Sequence, residues 1–567
     1  MIKINHPGAR DIFDQWSFLG PRRKRILKKS WAEIFRLEVL PKLPAYEFSL
    51  LFSDITGRPT KELFTVLGVV LLQQMHDLTD EETINQLSFN TLWHYALNIT
   101  EESDSAKYMC PRTLWEMRDL VARTGFDKCL FERVTSGLAK AFKVETSAQR
   151  LDSVHVKSNM RKIGRIGILA AVILKFLVNL KRHHSELYHD ISDDLKKRYQ
   201  ADKKKNCFGL IKPSDTTRKL QETADDLFHL INLFSTNADI CAMSTYKCMQ
   251  RVLSEQCEIM DDEGFKIVLP RKPKDIPSDS LQNPSDEDAA YSGHKGQGYQ
   301  VQIMETYSEI ETATDSETDN PEKKPLSLIT HVELEKADCH DSAALIPAIK
   351  KAASADMKPE KLIADSLYGS DENIAKAESL GIEVISPAMG KEKSGVIVLS
   401  DFTFDNDGHV SSCPAGHSPE TGKVKKDRFT QGFCTAKCAN CPRHENCPVK
   451  EGRKYHYLRY TAKEKRLAVR RQKERTDQFR DQYRWRAGIE ATMSMLDRKT
   501  GIKKLRYRGF AGVRLAVTLK ALAINIFRAA AALNASFSAI LISIFTFFKE
   551  LLLKIGMFWH SCSKQPV

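Results

Sequence analysis

The sequence predicts an α/β core carrying large helical additions, α+β overall, and three observations carry that prediction. The run RLDSVHVKSNM, 150–160, alternates residue by residue as a half-buried strand does. A strand–turn–helix repeat runs from KLIADSLYGS (361–370) through DENIAKAESLG (371–381) to IEVISPA (382–388). Regions 1–145 and 163–260, either side of the first strand, space their apolar residues three and four apart.

Taken in order, region 1–145 reads as an all-helical domain built on SWAEIFRLEVLPKL, TKELFTVLGVVLLQQMHDL and DEETINQLSFNTLWHYALNI. Pro59-Thr60 is expected to open one helix, and Thr79-Asp80 with Glu82 to cap the next. Such helices suit either a helix-turn-helix DNA reader or a plain packing bundle. In the strand that follows, Asp152 shares a face with Val154 and Val156, while His155 and Lys157 lie on the other. A charge on an apolar face calls for a partner or a metal ion.

Helical texture then returns as an insertion, about 163–260, with a solvated or DNA-facing basic turn at KKRYQADKKK. DIPSDSLQNPSDEDAAYSGHKG is rich in Pro, Ser, Asp and Gly and predicts a loop. GYQVQIMETY and SLITHVELEK predict strands, joined by SEIETATDSETDNPEKK, whose composition is that of a disordered hairpin tip. In the repeat after DSAALIPAIKKAASA, Asp365 ends its strand at the carboxyl edge, where open α/β sheets place ligands. Asp371 is the expected cap of the next helix, which leaves Asp365 for another role.

A second, cysteine-rich insertion spans about 390–450. Cys434, Cys438, Cys441 and Cys447 follow one another at x3, x2 and x5 spacing, with Cys413 and His417 upstream. The set Cys413, Cys438, Cys441 and Cys447 suits a structural tetrahedral Zn²⁺. An iron–sulfur cluster or a metal-free apolar cluster is the alternative. Thirteen cysteines and an N-terminus with no apolar leader pattern predict a reducing, cytoplasmic setting. No apolar run reaches the roughly 20 residues of a bilayer span, so no membrane is expected. The terminal FSAILISIFTFFKELLLKIGMFW, part of a tail assigned to 531–567, is interrupted by charges and reads as a packed amphipathic helix.

The formal net charge is +13. From Lys450 to Arg508 there are 20 Lys/Arg against 7 Asp/Glu, an excess equal to that of the whole chain. This predicts an electrostatic footprint for nucleic acid. Inside it, DQYRWRAGIEATMSMLDRKTGIKKLRYRGF places Tyr483, Arg486 and Glu490 on one stripe of a helix, followed by Lys503, Lys504, Arg506 and Arg508. Three carboxylates thus stand on rigid elements: Asp152, Asp365 and Glu490. Hard oxygen donors suit Mg²⁺ (or Mn²⁺), and two such ions can serve an in-line displacement at phosphorus.

ITGRPTKELFTVLGVVLLQQMHDLTDEETINQL, LDSVHVKSNM, NPSDEDAAYSGHKGQGYQVQ, ADSLYGSDEN and YRWRAGIEATMSMLDRKTG together resemble bacterial insertion-sequence transposases of the DDE type. The resemblance reaches to about residue 530. It implies a ribonuclease-H-like mixed sheet with flanking helices over 146–530 and a DNA-end-binding role for 1–145. It also implies that Asp152, Asp365 and Glu490 are catalytic metal ligands. Tyr483 and Arg486 match the Tyr-x2-Arg-x3-Glu signature, whose role is to grip phosphates. That signature ends in a Lys seven residues after the Glu, where this chain has Asp497. Arg498 and Lys499 are the candidate replacements, and Arg498, about 80° from Glu490 around the axis against about 180° for Lys499, is favoured.

The implied activity is metal-dependent cleavage of double-stranded DNA at element ends and strand transfer into target DNA, by a homodimer. A metal nuclease of the same fold without strand transfer, and an inactive zinc-stabilised DNA-binding protein, are the competing readings.

Overall fold

The computed structural model describes residues 2–5, 7, 14–53, 55–200, 211–262, 265–309 and 325–535. The acidic tract from 310, the basic turn beyond 200 and the tail after 535 lie outside the described residues.

The architecture is mixed α/β around one curled sheet. Its strands, with those of the insertions, are β1 (Ala148–Val156), β2 (Cys257–Asp262), β3 (Phe265–Pro270), β4 (Ala290–Ser292), β5 (Gly296–Thr306), β6 (Ile329–Lys336), β7 (Lys361–Ala364) and β8 (Glu383–Ile385). The central order is β4-β5-β1-β7-β8, with β6 also on β5. β5 runs antiparallel to β1 and β6, whereas β1, β7 and β8 are parallel. Short β4 arises inside the segment expected to be loop, where Ala290–Ser292 pairs with Gly296–Gly298. Likewise Cys257–Asp262 leaves the predicted helical insertion and forms a hairpin with β3.

Alternation decides the two faces of the sheet. Leu151 and Met304 point to one core with Leu345, Ala348 and Ile349 of the helix Leu345–Ser354. Val154, Val156, Val301 and Ile303 point to the other, which they share with the N-terminal helices. One of those, Leu63–Met75, is apolar around nearly its whole circumference and buried accordingly. It begins three residues later than Pro59-Thr60 suggests, because Glu62 caps it by accepting from the Phe64 and Thr65 amides. The expected capping box of the next helix is present between Thr79 and Glu82.

Through the middle of this core runs the helix Phe510–Ala535. It is long and apolar enough to cross a bilayer, contrary to the expectation that no such run exists, but 72% of its apolar window is buried inside the protein. Its charges are answered within the fold. Arg514 meets Asp127 at 3.0 Å, and Arg528 meets Glu305 at 2.9 Å. Lys520, fully buried, meets Asp77 at 2.8 Å and also donates to the Thr500 carbonyl. Arg165–His183, Thr216–Phe234 and Ser244–Gln256 enclose a separate core under the β2–β3 hairpin.

The cysteine-rich insertion forms β9 (Thr403–Phe404), β10 (Val410–Ser412), β11 (Thr421–Lys425), β12 (Arg428–Cys434) and β13 (Tyr455–Thr461). Its small core is Phe402, Val410, Phe433, Leu458 and Tyr460, with Cys413, Cys438 and Cys447 packed against it.

Candidate active site

The parallel pairing of β1 with β7 sets the site. Leu151 is in register with Ala364, so Asp152 and Asp365, each the next residue, stand side by side on adjacent strands. Backbones there are about 4.8 Å apart and in-register side chains share a face. That face is the one carrying Val154, as alternation predicts.

Glu490 comes from the helix Gly488–Thr500, which lays Ile489, Thr492 and Leu496 against the same face. Arg486 links the two elements. Its Nη2 donates to Asp152 Oδ2 at 2.8 Å and its Nη1 lies 3.6 Å from Glu490 Oε1. Glu490 is 71% exposed, against 18% for Asp152. Burial pushes the Asp152 carboxyl above its usual range; Arg486 and the Ser153 amide oppose this, while Asp365 and Asp341 add to it. Tyr483 stacks on Phe479 with centroids 5.5 Å apart, and burial, reinforced by Asp365 and Asp152, pushes its hydroxyl upward. The Arg486 Nε is buried with no acceptor among the described residues.

Tyr483, Arg486 and Glu490 do not share one continuous α-helix. Asp477–Tyr483 ends, a 3-10 turn Arg484–Ala487 intervenes, and the next helix starts at Gly488. The physical reason is Arg150. Its Nη1 donates to the Trp485 carbonyl at 2.7 Å, and a Cβ added at Gly488 would lie 2.0 Å from that nitrogen. The chain tightens to pass over the guanidinium.

Arg150 belongs to a buried network that the sequence reading missed. Glu305, with a side chain 0% exposed, accepts from Arg150 Nε at 2.8 Å, from Thr492 Oγ1 at 2.7 Å and from Arg528 Nη1 at 2.9 Å. It ties the Glu490 helix and the Phe510–Ala535 helix to β5. Its signal was present: Glu305 alternates with Val301 and Ile303, the pattern that singled out Asp152. Asp341 was also missed. It accepts from Gln300 at 2.5 Å and from Gln302 at 3.0 Å on the opposite face of the sheet.

The remaining candidates are distributed differently. Arg498 is exposed and bonds its own helix at Ser494 O, 3.4 Å, while Lys499 lies over the Phe527 ring at 5.7 Å. Asp497 itself pairs with Lys503 at 3.4 Å. The 503–507 backbone pairs with residues 157–159, which continue β1, bringing Lys503, Lys504, Arg506 and Arg508 beside that strand end. Lys157 is roughly 16 Å along the strand from Asp152. Arg506 meets Asp77 at 3.6 Å, and Arg508 donates to the Asn159 carbonyl.

Much of the basic tract before Tyr483 is answered internally. Arg466 pairs with Asp371 at 2.6 Å, Arg471 with Glu392 at 3.1 Å, Lys473 with Glu383 at 3.0 Å, and Arg475 with Glu392 and Asp401, each at 2.8 Å. Asp371 is therefore no cap; Ser370 caps that helix by accepting from Asn373.

Around the cysteines, burial raises the Cys438 thiol to about 11, with Cys447, Cys413, Cys441 and Cys434 contributing in turn. These five thiols share one neighbourhood. Among the described residues, however, no three His, Cys, Asp or Glu side chains close to metal-holding distances, here or at the carboxylates. At the carboxylates the Arg486 guanidinium lies between Asp152 and Glu490.

Two family models match the chain: a transposase DDE domain over residues 412–530 and a transposase domain (DUF772) over residues 36–120. No curated protein and no solved structure matches it. The matched transposase DDE domain indicates an enzyme that acts on DNA. The matches support the resemblance to bacterial insertion-sequence transposases of the DDE type. Tyr483, Arg486 and Glu490 fall within the matched DDE span; Asp152 and Asp365 fall outside both spans.

Proposed function

We propose that the chain cleaves DNA at the ends of its element and joins those ends to target DNA, with Asp152, Asp365 and Glu490 holding the catalytic divalent cations. The observation that carries this is the register of β1 and β7, which sets Asp152 beside Asp365, with Arg486 reaching from Asp152 to Glu490. The donor set fits Mg²⁺ or Mn²⁺: three hard carboxylates, one buried against like charge and already drawing a cation to itself. Such ions, when bound, activate the attacking oxygen and stabilise the leaving one. The order β6-β5-β1-β7-β8, antiparallel then parallel, supports a ribonuclease-H-like sheet over 146–530.

The chain's own residues do the rest. Arg486, with a buried Nε that has no acceptor among the described residues, offers a donor to a phosphate oxygen once a cation takes its place beside Asp152. Tyr483 feels the charge of Asp152 and Asp365, and burial with that charge pushes its hydroxyl upward, keeping it a donor. The Glu305 network fixes the helix from which Glu490 projects. We assign region 1–145 to holding element ends, Lys503, Lys504, Arg506, Arg508 and Arg498 with Lys499 to phosphate contacts that position without reading bases, and Cys413, Cys438, Cys441 and Cys447 to a structural Zn²⁺. The working form is a homodimer, acting in the cytoplasm.

The test is Glu490→Gln in the full chain with Mg²⁺. Cleavage of a duplex carrying the element end is expected to vanish while duplex binding stays. Unchanged cleavage would remove Glu490 from the site. Joining of a pre-cleaved end to plasmid DNA by the parent chain separates transposition from simple nuclease action.

A further inference from the structure

We infer that the short basic helix Pro21–Lys28, with Lys29 after it, is a second DNA-backbone contact that receives the duplex running past the active site. Neither matched span includes it.

Its sequence, PRRKRILK, places four cations in a row after a proline that starts the helix and adds another at Lys28. One residue, Leu27, anchors it in the core; Arg22, Arg23, Arg25, Lys28 and Lys29 are exposed. Lys24 pairs with Asp14 at 2.5 Å. For the other five, no carboxylate partner is found among the described residues. A helix holding this much unanswered charge on a rigid base costs self-repulsion, which a polyanion relieves. The helix Ala462–Glu474 is basic too, yet Arg466, Arg471 and Lys473 within it meet acids of the fold.

Position supplies the second argument. The Asn534 side-chain amide donates to the Lys29 carbonyl at 2.7 Å, so the basic helix is seated on the end of the Phe510–Ala535 helix. The last turns of that same helix, with Arg150, Arg484, Trp485 and Arg528, line a groove of about 930 Å³. Trp485 adjoins Arg486. From Arg528 to Asn534 is six residues, roughly 9 Å of helix. The basic helix thus adjoins the end of the groove that Ala535 lines, and Trp485, next to Arg486, lines the same groove.

This inference rests on the active-site reading for its direction of DNA travel, but its test does not require cleavage. In the full chain, Arg22, Arg23 and Arg25 are changed together to Gln, in both the parent and the Glu490→Gln background. Binding of a 40-base-pair duplex is then measured from about 50 to 200 mM salt. The slope of log K against log salt is expected to flatten by about 0.9 per lost contact, near 3 in all, in both backgrounds. As a control, Lys350, Lys351 and Lys358 are changed to Gln, which removes equal charge from another surface. An equal slope change in the control, or no change in the Arg22/Arg23/Arg25 variant, would overturn the inference. So would loss of binding to anionic phosphatidylglycerol vesicles with the DNA slope intact, since that result assigns the helix to a lipid surface. Thermal unfolding should match the parent's, because the three side chains are exposed. Failure of the active-site reading appears separately, as cleavage that survives Glu490→Gln.

Discussion

The helices Ala462–Glu474 and Pro21–Lys28 look alike on paper, both short and rich in Lys and Arg, yet among the described residues acids meet three of six cations in the first and one of six from Arg22 to Lys29 in the second. In the first, Arg466, Arg471 and Lys473 reach Asp371, Glu392 and Glu383, clamping the cysteine-rich insertion to the edge of the sheet. In the second, one of six cations from Arg22 to Lys29 has a described acidic partner. Density of positive charge along a sequence is thus a poor measure of charge offered to a polyanion. What counts is whether carboxylates from elsewhere in the chain arrive beside it. Arg486 belongs to a third kind: it is paired, but with the very carboxylates assigned to the cation.

The largest effect is expected at the buried hub. Glu305→Leu leaves Arg150 and Arg528 without their shared acid and should cost about 3–5 kcal/mol of stability, measured by urea unfolding; a loss under about 1 kcal/mol would show that the network does not hold the Glu490 helix. Next, Arg486→Gln should lower the cleavage rate by about 10²–10³, the size of losing one transition-state donor, while the salt slope of duplex binding stays near the parent's. A slope that falls as in the Pro21–Lys28 variant would place Arg486 among the free cations.

Asp152→Asn sharpens the same distinction through pH. Burial raises the folded carboxyl's pKa, so the folded chain holds that proton more tightly than the unfolded chain does. Stability therefore falls as pH rises through the folded pKa, starting from an unfolded value of about 3.9. The variant lacks this decline: it should match the parent at lower pH and exceed it in melting temperature near neutrality. Equal melting temperatures at pH 7 would mean that the Arg486 pairing offsets the burial. Smallest of all, Arg466→Ala or Lys473→Ala should change stability by about 0–1 kcal/mol and leave duplex affinity within about twofold, whereas a marked loss of affinity would reopen this helix as a DNA contact.

How far the sequence speaks follows the range of the interactions. The faces of β1 and β5, the Thr79–Glu82 capping box and the strand-end place of Asp365 depend on near neighbours, and they are legible. The helix start at Leu63, the Ser370 cap and the strand Cys257–Asp262 were missed by a few residues, where local preferences nearly balance. The pairing of Leu151 with Ala364 is beyond local reading, since more than two hundred residues separate the strands. So is the break at Arg484–Ala487, which answers to an arginine some 335 positions earlier. The partners of Arg466, Arg471 and Lys473 belong to the same category, which is why the tract from Lys450 read as one uniform footprint.

The N-terminal helices and the sheet have no seam between them. Leu67 and Val70 share an interior with Val301 and Ile303, and the Phe510–Ala535 helix runs through both, pinned by Lys520 to Asp77. Whatever grips DNA from the N-terminal side is therefore mounted on the same packed block as the carboxylates we assign to cleavage, like the two jaws of a fixed caliper. The count of base pairs between grip and cut should then be a constant of the protein, unchanged by lengthening any surface loop.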